Sequence, residues 1–155
     1  MDQKPHNPAA FKIMHYISKN PMAVLSTVND DGTPYGSIVY ISSLGDRAVC
    51  FVTKTGTQKY MNLLARPMVS LTIGNDTESS TLQATGKASI INDPALLDAG
   101  MKKIHEIHAM RAEWLPPIAK LRAGNYAVVG IELTHARLGE FKGLDIGSRE
   151  IFTEI

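Results

Sequence analysis

The segment FVTKTGTQK (residues 51–59) concentrates groups that bind phosphate. It carries three hydroxyls, one glycine and two cations, at Thr53, Thr55, Thr57, Gly56, Lys54 and Lys59. The segment leads into QKYMNLLA (residues 58–65), which has the composition of a short helix. The first turn of a helix offers unpaired backbone N–H groups at the positive end of its dipole. Together with hydroxyls and a lysine, these groups predict a phosphate site. A plain helix cap with solvated lysines is the alternative interpretation.

The remaining reactive side chains lack the spacing of a known catalytic or metal site. Cys50 lies in the apolar run AVCFV without a cationic neighbour, which is typical of a buried small residue. In HEIH (residues 105–108) the two histidines are three residues apart, whereas a zinc-protease helix places them four apart. The sequence contains no GxGxxG motif and no evident third metal ligand. We therefore expect a surface or interface role for these histidines and no metal.

Local signals predict short elements that position the 51–59 segment. Asn7 and Pro8 predict the start of a helix that ends before Asn20. Six strands are expected, at residues 22–28, 35–41, 48–53, 68–73, 81–91 and 126–133. Asp31-Gly32 predicts a hairpin between the first two strands, and the first three strands are expected to form an antiparallel meander. Gly86 predicts a bend or bulge.

Asp93-Pro94 predicts a further helix that runs to about residue 111. Leu97, Met101, Ile104 and His108 fall on one face of it. Residues 114–124 have an irregular pattern with room for one short helix, and residues 136–141 (ARLGEF) allow one more strand. Because strands and helices do not alternate, a wholly parallel sheet is excluded. The pattern favours a small antiparallel barrel with helices on its rim, formed by a single domain over residues 1–155.

Composition limits the class of protein. The 155 residues are 44% apolar and 20% charged with a formal net charge of +1, which is typical of one soluble globular domain. Extensive disorder and electrostatic attraction to nucleic acid or anionic membranes are not expected. The sequence shows neither a signal-peptide pattern nor an apolar run that would span a bilayer, so a cytoplasmic location is expected.

The order of these motifs resembles the pyridoxamine 5′-phosphate oxidase-like, FMN-binding split-barrel superfamily. The matching segments are NDDGTPYGSIVYI, FVTKTGTQK, a helix that ends in ARP, and MVSLTI followed by LQATGKASII. The resemblance implies a mainly β fold, a six-stranded antiparallel split barrel of the Greek-key type with rim helices. It also implies a homodimer with two FMN sites at the subunit interface.

The resemblance implies cofactor contacts at ten positions. The isoalloxazine lies along Ser37, Ile38, Val39 and Tyr40, and the phosphate is held by Thr53, Thr57, Gln58 and Lys59. Val52 also contacts the cofactor, and the strand near Gln83 of a second subunit contributes to closing the site. The oxidase itself has arginines where Ser37 and Gln58 stand and a lysine where Ser42 stands. Each lost charge-assisted hydrogen bond weakens binding by roughly 1.5–3 kcal/mol.

The substrate-binding Arg-x-His motif of the true oxidase is also not found in this sequence. We therefore expect an FMN-dependent oxidoreductase, with a reduced nicotinamide as electron donor, rather than a pyridoxamine phosphate oxidase. The alternative is a non-catalytic protein of the same fold that binds a flavin, a deazaflavin or haem. For haem, the sequence offers five histidines and does not select one: His6, His15, His105, His108 and His135.

Overall fold

The computed structural model describes residues 7–110, 125–143 and 152–155. Helices are present at α1 (Pro8–Lys19), α2 (Gln58–Ala65) and α3 (Pro94–Met110). The strands are β1 (Met22–Val28), β2 (Pro34–Tyr40), β3 (Ser42–Ser43), β4 (Ala48–Lys54), β5 (Met68–Asn75), β6 (Ser80–Ile91), β7 (Tyr126–Glu140) and β8 (Phe152–Glu154). The expected features of residues 114–124 lie outside the described residues.

The strands form one antiparallel sheet in the order β2-β1-β5-β6-β7-β4-β3, with β8 added to β7. β2 and β4 are not neighbours in this order, yet they contact each other because the sheet curls into a half-barrel. The mainly β, split-barrel fold class is therefore confirmed. The described residues contain eight strands rather than six, because the short strands β3 and β8 carry too few residues to show a pattern.

The predicted hairpin is confirmed, but the predicted three-strand meander is wrong. Asn29 N–H donates to Thr33 O at 2.9 Å, and Gly32 takes a φ of +84° in the turn between β1 and β2. The third long strand, β4, pairs with β3 and β7 instead of β2. β7 is long enough to pair along one edge with β6 and along the other edge with β4. β4 therefore pairs with the distant strand β7 and not with β2, its neighbour in sequence among the long strands.

The inner face of the sheet holds the main core. Fully buried side chains from α1 and five strands meet there, among them Ile13, Ile17, Leu25, Val49 and Ile131. A second cluster forms where α3 covers the outer face of β4 and β7; its members include Cys50, Val52 and Ile104, with Leu97 and Met101 packed against them. β4 is therefore buried on both faces. The predicted apolar face of α3 is confirmed for these residues, while the side chain of His108 lies outside the described set.

Two further local predictions are confirmed. The Asn7 Oδ1 accepts hydrogen bonds from the N–H groups of Ala9 and Ala10 at 3.1 Å each, so it caps α1 as expected. The β6–β7 register shifts between Thr85 and Gly86, where a Cβ on Gly86 would lie only 2.4 Å from Glu132 O. The strand allowed at residues 136–141 is the continuation of β7 to Glu140. Among the described helices, none combines the length and the apolar character that crossing a bilayer requires.

Candidate functional site

The loop between β4 and α2 is closed by Thr57. Its Oγ1 donates to Lys54 O at 2.8 Å, and its backbone N–H donates to the same oxygen at 3.3 Å. Since the one hydroxyl proton of Thr57 is used there, Thr53 is the donor in the 3.3 Å bond between the two threonine hydroxyls. Both hydroxyls therefore shape the loop and have acceptors within the protein.

The same loop is tied to the start of β7. Thr55 donates to Asn125 O through its backbone N–H at 3.1 Å and through its hydroxyl at 3.4 Å. Lys54 is buried, and its Nζ lies 5.7 Å from the ring centroid of Tyr126, within cation–π range. Gly56 faces open space, since a Cβ there would meet nothing within 4 Å. The loop is thus held to the start of β7 by Thr55, while the space next to Gly56 is open.

The N-terminus of α2 has the electrostatics of an anion site. Thr57 is its N-cap residue, but its side chain accepts no capping hydrogen bond and the first turn carries no acidic residue. Lys59 lies half-buried in that first turn, and burial lowers the pKa of its ammonium. Among the described residues Lys59 has no ion-pair partner. A cation at the positive end of a helix is destabilising by about 0.3–1 kcal/mol unless an anion lies beside it.

The β2 strand contributes an unsatisfied polar atom. Ser37 Oγ is buried and has no hydrogen-bond partner among the described residues. A buried hydroxyl without a partner costs about 1–3 kcal/mol, so such atoms commonly mark the place of a bound group. Ile38 is exposed on the opposite face of the strand, whereas Val39 and Tyr40 are buried. Lys59 and Ser37 Oγ are therefore two polar groups that this fold leaves uncompensated.

Three other predicted site residues lie in different surroundings. Val52 packs beneath α3 in the second cluster. Gln58 is exposed and donates from Nε2 to Asn62 Oδ1 at 2.8 Å. Gln83 is exposed on β6 and, with polar side chains that include His135 and Arg137, lines a shallow cavity of about 330 Å³. In the sheet order β1 and β5 lie between Gln83 and β2.

The family follows from comparison with known proteins. A family model described as pyridoxamine 5′-phosphate oxidase matches residues 12–138. This chain belongs to the pyridoxamine 5′-phosphate oxidase family. No curated protein sequence matches it.

Solved structures from this family's fold resemble the chain at low sequence identity. An F420 reductase aligns with a TM-score of 0.59 and 21% identity, over 79% of this chain and 94% of that one. A pyridoxamine 5′-phosphate oxidase-related, FMN-binding protein from Nostoc punctiforme aligns at 0.58 and 16%, over 99% and 90% of the two chains. General Stress Protein 26 from Bacillus anthracis aligns at 0.59 and 19%, over 82% and 91%. At these identities the likeness establishes a shared fold.

Two residues important to this member of the pyridoxamine 5′-phosphate oxidase family were missed by sequence analysis. Lys103 on α3 donates from Nζ to Ile41 O and to Ser42 Oγ, both at 3.1 Å, and burial lowers its pKa. It therefore places a cation beside Ser42, the position where the resemblance implies a lysine in the oxidase. Asn62 joins α2 to the β1–β2 hairpin. The sequence carried one signal for Asn62, a polar residue at a position of a short helix that faces the core. It carried no signal that Lys103 would contact the end of β2.

The predicted burial of Cys50 is confirmed. Burial raises the pKa of the Cys50 thiol, with Lys103 as a smaller opposing influence, so Cys50 is a buried thiol at neutral pH. His105 Nδ1 lies 2.7 Å from Met101 O on its own helix. Within the described residues, no group of three or more His, Cys, Asp or Glu side chains comes close enough to bind a metal ion.

Proposed function

We propose that the chain binds FMN, with the phosphate at the N-terminus of α2 and the isoalloxazine along β2, and acts as a flavin-dependent oxidoreductase. The observation that carries this proposal is the uncompensated Lys59 in the first turn of a helix whose N-cap side chain makes no cap. A phosphate dianion would pair with the ammonium and accept hydrogen bonds from the first-turn N–H groups. The open space in front of Gly56 leaves room for it.

The residues present fit a flavin at this place. Ser37 Oγ has a proton to donate and no acceptor among the described residues. Bound FMN supplies the redox chemistry, and the chain's own residues bind it, orient it and exclude water. The Thr53 and Thr57 hydroxyls act through the loop, which they hold in the conformation that presents the α2 N-terminus.

The proposed electron donor is a reduced nicotinamide, and the proposed active form is a homodimer. Three apolar side chains on the outer face of β1 and β2 are exposed by about two-fifths, Met22 (41%), Val24 (39%) and Ile38 (38%). Val24 and Ile38 are opposite each other in the register, so they form one patch. A second subunit on this patch would cover it and bring Gln83 toward the β2 strand.

Titration of the purified chain with FMN and with riboflavin, followed by flavin fluorescence, tests the cofactor proposal. We expect saturable binding of one FMN per chain and much weaker binding of riboflavin. Equal affinities for the two flavins would place the phosphate elsewhere and overturn the proposal.

The reaction is tested under anaerobic conditions with the FMN-loaded protein. Bleaching of the flavin band by a reduced nicotinamide supports the oxidoreductase, and a stable oxidised spectrum with every donor tried supports the binding-protein alternative. Parallel titrations with F420 and haem cover the other cofactors, because one structural neighbour is an F420 reductase. If F420 or haem binds tightly and FMN does not bind, that molecule takes the place of FMN as the proposed cofactor.

A further inference from the structure

Asn62 is the centre of a buried hydrogen-bond network. Its side chain is only 2% exposed, although it lies on a helix of eight residues. Nδ2 donates to Thr27 Oγ1 at 3.0 Å and to Asn29 Oδ1 at 2.8 Å, and Oδ1 accepts from Gln58 Nε2 at 2.8 Å. Both amide protons and one oxygen lone pair are thus satisfied.

The network reaches both strands of the β1–β2 hairpin. Thr27 on β1 is 1% exposed, and its hydroxyl donates to Tyr35 O on β2 at 3.3 Å. Asn29 continues the network from Nδ2 to Thr33 Oγ1 at 3.1 Å in the turn. The helix is therefore connected through one amide to the end of β1, to the turn and, through Thr27, to the backbone of β2.

Directional hydrogen bonds from Asn62 act together with the apolar packing of Leu63 in determining how α2 sits on the hairpin. Only Asn62 and Leu63 are buried residues of this helix, so an amide occupies half of its buried positions. Apolar contacts tolerate sliding and rotation, whereas an amide with three partners has one satisfied orientation. A buried amide that lost its partners would pay the full desolvation penalty. Gln58, one of those partners, is the first residue of α2 and precedes Lys59 directly.

We propose that Asn62 is a positioning residue that sets the distance and angle between the phosphate anchor on α2 and the ring strand β2. This inference rests on the proposed function, since it assigns Asn62 to the placement of those two halves of the FMN site. Asn62 acts through Gln58 and the α2 backbone on one side and through Thr27 on the other. FMN bridges the two halves, whereas riboflavin engages only the ring strand, so the two ligands report differently on the alignment.

The experiment compares FMN and riboflavin dissociation constants in Asn62→Leu and in the parent. Leucine has a similar volume and keeps the helix, but it cannot form the network. We expect the preference for FMN over riboflavin to fall about tenfold, equivalent to about 1.4 kcal/mol. Riboflavin affinity is expected to stay within about twofold of the parent value, a change of less than about 0.5 kcal/mol.

Two further variants separate positioning from general stability. Tyr16→Phe removes a buried 3.0 Å hydrogen bond to Ser80 between α1 and β6, so it should lower the melting temperature and leave the FMN preference unchanged. Thr27→Val removes one arm of the network with an isosteric side chain, and it provides the measurement if Asn62→Leu does not fold. A lower melting temperature with an unchanged preference in the Asn62 or Thr27 variant would overturn the inference. A parent that shows no FMN preference would instead overturn the proposed function itself.

Discussion

Lys103 Nζ lies 3.1 Å from Ser42 Oγ and donates to it, which joins α3 to the corner where β2 turns into β3. The same ammonium donates to Ile41 O at 3.1 Å. Ile41 and Ser42 follow directly after the proposed ring strand, so α3 fixes the end of that strand. Because burial lowers the pKa of Lys103, the two acceptors compensate a charge that is partly removed from water.

Replacement of Lys103 by methionine should loosen this corner. Loss of two hydrogen bonds from a cation, offset by relief of its desolvation, is expected to lower the unfolding free energy by about 1 kcal/mol. The pKa of the Cys50 thiol should rise further, because burial already raises it and Lys103 opposes that rise. Cys50 is the single cysteine, so the pH dependence of its alkylation rate, measured by mass spectrometry, reports its thiol without interference from the five tyrosines. An unchanged or lower thiol pKa would contradict the placement of Lys103.

Lys59→Ala should weaken FMN binding about tenfold or more, because it removes the proposed phosphate partner, a loss of at least about 1.4 kcal/mol. The apo protein should be as stable or slightly more stable, since the variant removes a cation from the positive end of α2. Riboflavin should bind both forms equally weakly. Calorimetric binding and thermal unfolding measure these effects, and a destabilised variant with parental FMN affinity would show that Lys59 is structural.

The pH dependence of FMN binding should also depend on Lys59. The pKa of Lys59 in the folded chain lies below the ordinary 10.5. At pH values between the folded and the unfolded pKa, the unfolded chain binds more protons than the folded chain. The contribution of Lys59 to the stability of the apo protein therefore rises with pH in this range. Below the folded-state pKa the buried charge costs stability in full. FMN affinity should fall as the ammonium deprotonates in alkaline solution. In Lys59→Arg the affinity should persist to higher pH, because guanidinium stays charged, and superimposable profiles would argue against a role for this ammonium.

Gly86→Ala should be strongly destabilising. The added Cβ would lie 2.4 Å from Glu132 O and 2.7 Å from Ile131 Cγ2, so the bulge between β6 and β7 would have to open. Overpacking of this kind costs about 1–3 kcal/mol. Gly74→Ala on β5 is the matched control, because a Cβ there meets nothing within 4 Å. Equal urea midpoints for the two variants would show that the bulge tolerates a side chain.

The parent should be a dimer of about twice 16.9 kDa by light scattering. Ile38→Glu places a charge in the apolar patch on β1 and β2, so it should yield a monomer that binds FMN weakly. Phe11→Glu is the control, since Phe11 is 60% exposed on α1 and lies outside that patch. A monomeric parent would remove the basis for a shared cofactor site, and a dimeric Ile38→Glu would move the interface elsewhere.

Local signals in the sequence predicted the features that depend on neighbouring residues. The Asn7 cap, the Asp31-Gly32 turn and the limits of α2 follow from side chains within a few residues of each other. The Gly86 bulge follows from a glycine inside a strand pattern. The order of the motifs also identified the family, which the match over residues 12–138 confirms.

Only the tertiary structure decided which distant segments meet. β4 pairs with β7 rather than with β2, and Lys103 reaches Ser42 across 61 residues of chain. Asn62 is satisfied by Thr27, which lies 35 residues away. Such contacts form because closure of the barrel brings separate elements together, and hydrogen bonds then favour the partners that closure supplies. A one-dimensional pattern records the polarity of Asn62 and Lys103, but their partners exist only after the sheet has curled.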